Sequence, residues 1–334
     1  MPIEIAAHAG FCMGVRRAVE SAVQVADSGV PSCTLGELIH NPTVVDMLRQ
    51  RGIPPVASAE EAAGRQELIR SHGVAPEVIR QLEKAGCKVV DLTCPFVNKL
   101  HRVVAEDTSE DCPLIMVGER EHPEVKGTCG WARGKVYVVA TAEEAAQLPE
   151  MDQAAAAVQT TFPPERWEAI VAVLRGRVQH LKEHNTICNA TAVRQREAKK
   201  LAAASDAMIV VGGRTSANTH KLFEACKALC PRTILVECAA EIPPAFANIH
   251  SDKIGITAGA STPDGSLEEV ATHMTDNENM AQSSDFTMDA IVATMTRIKA
   301  GQTVTGKVVQ VTPDEVYVNI GYKADGIIKR SDLT

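Results

Sequence analysis

The sequence predicts an α/β chain of three repeated units, each a small parallel sheet with its helices, and three observations carry that prediction. First, Gly-Glu-x-x-His followed by a proline and a valine occurs in GELIHNPTVV, from Gly36, and again in GEREHPEV, from Gly118. Second, a cysteine stands 24 residues ahead of each loop, Cys12 and Cys94, and Cys188 stands 24 residues ahead of Gly212 in GGRTSANTHKL. The polar residue 28 positions after each cysteine is His40, His122 or Ser216. Third, 45% of the 334 residues are hydrophobic but only 3% are aromatic, so the core must be aliphatic and rich in alanine. That composition suits layered strands and helices better than an aromatic-filled sandwich.

The elements follow in order within each copy. MPIEIAAHAGFC, GCKVVDLTC and EHNTIC read as extended segments that end on the cysteine. A helix follows Cys12, where Val15, Ala18, Val19, Ala22, Val23 and Ala26 recur at helical spacing. A second apolar strand then enters the loop, in CTLGELIH, PLIMVGER and AMIVVGGR. A third, in LIRSHGVAPEV, AAAVQTTFPPE and KIGITAGASTPD, closes each copy. Strands alternating with helices predict parallel sheets, whose ligands bind beyond the carboxyl ends of the strands. Pro42, Pro76, Pro95, Pro123, Pro164 and Pro263 lie just behind the loop residues, where proline opens helices. The motif residues are therefore expected near helix N-termini, whose free N–H groups favour anions.

This reading divides the chain into a first domain at 14–94, a second at 95–185, and a third made of 1–13 with 186–276. Polar DNENMAQSSDFTM and the amphipathic DAIVATMTRIKAG form a linker and helix at 277–300. From 301 to 334, TVTGKVVQVTPDEVYVNIGYKADGII alternates at period two, with a turn at Pro313–Asp314. That tail resembles the start of the OB-fold RNA-binding repeat of the large small-subunit ribosomal protein, at about half of a barrel. Only Tyr317 and Tyr322 offer stacking faces there, so RNA is a partner only where the repeat is complete.

The net charge of −8 argues against wholesale coating of nucleic acid. The N-terminus carries an acidic residue and no basic stretch, so it does not read as a signal peptide. No apolar run approaches the roughly 18 residues of a membrane span. The expectation is a cytoplasmic monomer, with no membrane partner, whose ten cysteines stay reduced.

Three thiolates at helix starts make a soft metal site. The intervals of 82 and 94 residues are unlike local zinc-finger or ferredoxin patterns, so the register carries the argument and spacing does not name the metal. An iron–sulfur cluster with three thiolates leaves one iron open to substrate; a three-cysteine zinc with bound water is the competing chemistry. The other seven cysteines read as small hydrophobes of the core, Cys226 and Cys230 included.

The segments GFCMGVRRA, TCPFVNKLH, HPEVKGT, ICNATAVRQREA and GITAGASTPD resemble the 4-hydroxy-3-methylbut-2-enyl diphosphate reductase family, over about residues 1–276. The resemblance implies a trefoil of three α/β domains around an oxygen-sensitive 4Fe-4S cluster. It implies reductive removal of an allylic hydroxyl to give isopentenyl and dimethylallyl diphosphates, the last step of the non-mevalonate isoprenoid pathway. By that resemblance Cys12, Cys94 and Cys188 match the cluster ligands, with one iron left open. His40, His72 and His122 match the substrate-pocket histidines, and Ser216, Asn218 and Ser261 match the diphosphate-binding set. Glu124 and Thr160, with His122, match the catalytic proton relay near the substrate hydroxyl. Ala217 stands where the family pattern has a second serine, which removes one hydroxyl donor.

Arg16, Arg17, Lys99, Arg102, Arg194 and Arg196 follow the three cysteines, and some of them are expected to line a docking surface for a ferredoxin- or flavodoxin-type electron donor. Two rival readings stand beside the reductase. One is an iron–sulfur or zinc-bearing redox-sensing or RNA-binding protein with the tail as its functional end; the other is a zinc hydrolase.

Overall fold

Each apolar strand of the repeat pairs with its own kind. A computed structural model of the chain describes residues 3–247, 253–275, 307–311, 315–319 and 326–329. It falls into two units, Met1–Met13 with Val193–Thr334, and Gly14–Ala192.

The chain opens with β1 (Ile3–Ile5), which pairs far ahead in sequence, and α1 (Met13–Asp27). In the Gly14–Ala192 unit, β2 (Ser32–Leu35), α2 (Pro42–Gln50), β3 (Pro55–Val56), α3 (Ala59–Ala62), β4 (Gln66–Ile69), α4 (Pro76–Lys84) and β5 (Lys88–Asp91) follow. Their strands form a parallel sheet in the order β3-β2-β4-β5. Next come α5 (Pro95–Asp107), β6 (Leu114–Val117), α6 (Pro123–Cys129), β7 (Val136–Val139), α7 (Ala142–Ala146), β8 (Met151–Val158), α8 (Pro164–Leu174) and β9 (Val178–His184). These strands again pair in parallel, in the order β7-β6-β8-β9.

After α9 (Asn189–Ala203), the other unit holds β10 (Ala207–Val211), α10 (Ala217–Lys227), β11 (Thr233–Val236), a 3-10 turn at Ala239–Glu241, α11 (Pro244–Ala247), β12 (Ile254–Ala258) and α12 (Asp264–Thr275). Its sheet has the same form, β11-β10-β12, and the fourth place is taken by β1 from the chain start. Three sheets thus share one strand order. Each helix that follows a site cysteine runs from the last strand of one sheet to the first strand of the next.

Prolines open α2, α4, α5, α6 and α8, and Pro263 immediately precedes α12. Their missing N–H is no loss in a first turn, where that donor has no helical partner. Central strands are buried along their whole length, β6 and β10 among them, as parallel strands covered on both faces must be. Ile115, Val117, Ala154, Ala156 and Val158 face Trp167, Ile170 and Leu174 in one core; Ile209, Val211, Ile254 and Ile256 anchor another. Each fully buried aliphatic of this size contributes about 1.5–3 kcal/mol.

Near the C-terminus, β13 (Lys307–Val311), β14 (Glu315–Asn319) and β15 (Gly326–Lys329) form an antiparallel sheet, as the period-two pattern predicts. The expected linker and helix at 277–300 and the turn at Pro313–Asp314 lie outside the described residues. Among the described residues, no helix is long and apolar enough to cross a membrane.

Candidate active site

The repeat extends into the loops. His40 and His122 lie five residues beyond β2 and β6, and Ser216 lies five beyond β10. Ser71, Thr160 and Ala260 each lie two residues beyond the third strand of their sheet, and each carbonyl accepts a hydrogen bond from a site cysteine. The N–H of Cys94 donates to Ser71 at 3.0 Å, that of Cys188 to Thr160 at 2.9 Å, and that of Cys12 to Ala260 at 3.0 Å. Every cysteine is thus fixed by its backbone at the entrance of a long helix, at Met13, Pro95 or Asn189.

Cys12, Cys94 and Cys188 are half-buried and in no disulfide, as are Cys129 and Cys238, whose expected core position is thus only partial; Cys33, Cys87, Cys112, Cys226 and Cys230 are buried in the core. Burial pushes the Cys33 and Cys226 thiols up to about 12, which makes them inert. Gly14, in the helix after Cys12, marks how tightly the ligand region is packed. A Cβ there would lie 2.4 Å from Cys94 Sγ, so any side chain would displace the sulfur. Each thiol of Cys12, Cys94 and Cys188, pinned by its own N–H, offers the soft donor that a thiophilic metal takes.

Within the Gly14–Ala192 unit the three pocket histidines meet. Ring centroids are 4.6 Å apart for His40 and His72, 5.5 Å for His72 and His122, and 6.0 Å for His40 and His122. Burial holds His72 well below the usual histidine range, with His40, His122 and Arg70 adding to the effect, and its Nδ1 has no hydrogen-bond partner. Burial also lowers His40, opposed by Glu37, whose carboxylate lies 3.5 Å from Nδ1. Neutral imidazoles remain N–H donors to an anion.

His122 caps α6, accepting the backbone N–H of Glu124 on Nδ1 at 3.1 Å. Glu124 is buried, 2% exposed, and its carboxylate accepts the Thr160 backbone N–H at 2.6 Å and the Thr160 hydroxyl at 2.8 Å. A buried carboxyl in contact with a hydroxyl can pass a proton along that bond.

In the other unit, Ser216 caps α10 by accepting the N–H of Thr219, and the Ser261 hydroxyl lies 3.5 Å from that of Ser216. Asn218 is buried, and its Nδ2 has no partner among the described residues. Ala217 is the first residue of α10 and adds no side-chain donor. Arg194 donates to the Gly10 carbonyl at 2.8 Å, and Glu197 accepts both the backbone N–H of His8, at 3.1 Å, and a bond to its ring nitrogen, at 2.7 Å. Both α9 residues brace the loop that carries Cys12. Sequence reading missed this bracing, because only the folded loop shows which carbonyl the guanidinium reaches. It also counted Arg16 and Arg194 among six bases of which some are expected to line a docking surface. They are buried, so of the six bases only Arg17, Arg102 and Arg196 are exposed.

Comparison with known proteins agrees with this geometry. The family model described as LytB protein matches residues 3–275, and that of the S1 RNA binding domain matches 297–334. The 4-hydroxy-3-methylbut-2-enyl diphosphate reductase of Geobacter sp. (strain M21) is 44% identical over 271 residues, 81% of this chain and 95% of that protein. The reductase of the same name from Clostridium acetobutylicum is 38% identical across 99% of this chain, which spans 53% of that longer relative. A solved (E)-4-hydroxy-3-methyl-but-2-enyl diphosphate reductase, described as the terminal enzyme of the non-mevalonate pathway, is 40% identical over 83% of this chain and 100% of its own, with TM-score 0.63. The Plasmodium falciparum reductase structure, 23% identical, shares the fold with TM-score 0.78 over 87% of this chain and 96% of its own. The chain belongs to the LytB family, the 4-hydroxy-3-methylbut-2-enyl diphosphate reductases of the non-mevalonate pathway, and carries an S1 RNA-binding domain match behind the reductase part.

Proposed function

We propose that residues 3–275 catalyse reductive dehydroxylation of (E)-4-hydroxy-3-methylbut-2-enyl diphosphate to isopentenyl and dimethylallyl diphosphates. Cys12, Cys94 and Cys188 hold a 4Fe-4S cluster with one iron free of protein ligands. The observation that carries this reading is the shared anchoring of the three cysteines, each with its N–H on the carbonyl two residues past the third strand of a sheet. When bound, the cluster supplies electrons and a Lewis-acidic site for the allylic hydroxyl.

The side chains do the rest. His40, His72 and His122 donate N–H bonds to the diphosphate, with Ser216, Asn218 and Ser261 as further donors; Ala217 contributes none. Glu124, paired with Thr160, delivers the proton that lets the hydroxyl leave as water. Two electrons and two protons enter; the C–O bond breaks, one proton departs in water and the other ends on carbon. A ferredoxin- or flavodoxin-type carrier supplies the electrons. The acting unit is a cytoplasmic monomer of three domains, 14–94, 95–185, and 1–13 with 186–276. RNA association belongs to the S1 part where its barrel is complete.

Anaerobic purification tests the reading. Brown protein with iron and acid-labile sulfide at about four each per chain, turning over the allylic diphosphate with an artificial reductant, is the expected result. Colourless, zinc-loaded protein without turnover would overturn it.

A further inference from the structure

Arg70 has no part in the chemistry described so far. It follows Ile69, the last residue of β4, two positions before His72. Its side chain reaches the loop that leads from β2 to His40. A Cβ built on Gly36 would lie 3.0 Å from Arg70 Nη1, and Gly36 holds a positive φ of 73°. Glycine there both makes the turn and leaves room for the guanidinium.

The Arg70 Nε is buried with no hydrogen-bond partner among the described residues. Among the described residues, no carboxylate lies within ion-pair distance of Arg70. Burial works against its charge, and its field in turn lowers both His40 and His72. Glu37 is spent on His40, at 3.5 Å. A half-buried guanidinium whose Nε is shut off from solvent, with no acid beside it, is open to completion by an anion. His40 and His72 cannot supply a fixed positive charge, because burial favours their neutral forms. A fixed guanidinium suits an anion as highly charged as a diphosphate.

We infer that Arg70 is the permanent cation of the diphosphate subsite bounded by His40, His72 and His122. The inference rests on the proposed function for the identity of the anion. Its own content is that His40 and His72 act as neutral donors while Arg70 sets the positive potential that draws the anion in. It is a binding residue, so its removal should act on affinity and leave the reacting end of the substrate untouched.

The test uses the iron-loaded full chain, with inorganic pyrophosphate as the calorimetric probe and steady-state turnover measured alongside. Arg70→Gln should weaken pyrophosphate and raise KM together by about 10–100-fold, the scale of a lost charge-assisted bond, with iron content intact and kcat within about threefold. Arg70→Lys, which keeps the charge, should recover part of the affinity, and added salt should weaken the parent more than the Gln variant. A Gln variant that binds pyrophosphate like an active parent overturns the role of Arg70 and leaves the proposed function standing. So does a loss confined to kcat, or a Lys variant as weak as Gln. A parent that neither binds pyrophosphate nor turns over brings down both.

Discussion

Two buried carboxylates of the Gly14–Ala192 unit have almost the same surroundings on paper and opposite meanings. Glu124 is 2% exposed and Glu67 is 0% exposed. Each accepts one backbone N–H and one side-chain donor. For Glu124 these are the N–H and hydroxyl of Thr160; for Glu67 they are the N–H of Leu35 and the Cys33 thiol, at 3.1 Å. The partners separate them. Glu67 is sealed in a sheet beside Cys33, with Ala62, Ile69 and Cys87 in the same core, and its thiol partner is pushed up to about 12. Glu124 follows His122 by two residues and faces a hydroxyl, which can accept and release a proton. Burial with two donors is therefore common to both, and the role proposed for Glu124 rests on its place beside His122 with a hydroxyl as partner.

The largest effect expected at equilibrium comes from the structural member. Glu67→Ala leaves the Cys33 thiol and the Leu35 N–H unpaired in a dry core, and should cost about 2–4 kcal/mol of stability by urea denaturation. An unchanged midpoint would mean that the pair contributes nothing to the fold. Next is Thr160→Val, which keeps size but removes the hydroxyl from Glu124. Turnover should fall about 10–100-fold with iron content unchanged. A drop in stability of the Glu67 size, with normal turnover, would erase the distinction.

A smaller effect follows from pH. Burial raises Glu67 above the ordinary carboxylate range, so the folded chain holds that proton more tightly than the unfolded one. Its contribution is complete below the ordinary range and is lost as pH rises through the raised value. The slope is at most about 1.4 kcal/mol per pH unit. Glu67→Gln should flatten that part of the stability profile, and a Gln variant that keeps the slope would assign it to another group. The smallest effect is none. A chain ended after Thr275 should keep its iron and turn over at the parent rate, because the tail supplies no site residue. A folded, iron-loaded truncation without activity would move the boundary of the catalytic part.

The contrast also explains what could be read from residues alone. The alternation of strands and helices, the loops with His40, His122 and Ser216, and the proline-started helices were legible because they depend on local periodicity and on one repeated offset; the strand order and the edge strands β3, β7 and β11 were not. Glu124 stood out through its motif. Glu67 carries no such signal. Its partners at Cys33 and Leu35 lie on the neighbouring strand, a contact that exists only once the sheet has formed. Arg70 and Gly14 were hidden for the same reason, since a close approach between loops leaves no period in the sequence. The bases after each cysteine show the opposite failure. Arg16 and Arg194 looked like surface charge by composition, yet the fold turns them inward.

The most direct test places both carboxylates in one experiment. Glu124→Gln and Glu67→Gln, loaded with iron under the same anaerobic conditions, are compared for kcat per loaded chain and for denaturation midpoint. The account predicts that Glu124→Gln keeps its iron and midpoint and loses about 10²–10⁴-fold in kcat, the usual scale for a general acid. Glu67→Gln should show a displaced midpoint and near-parent kcat. An iron-replete Glu124→Gln enzyme that turns over at the parent rate would contradict the account, leaving Glu124 a buried carboxylate of the same kind as Glu67.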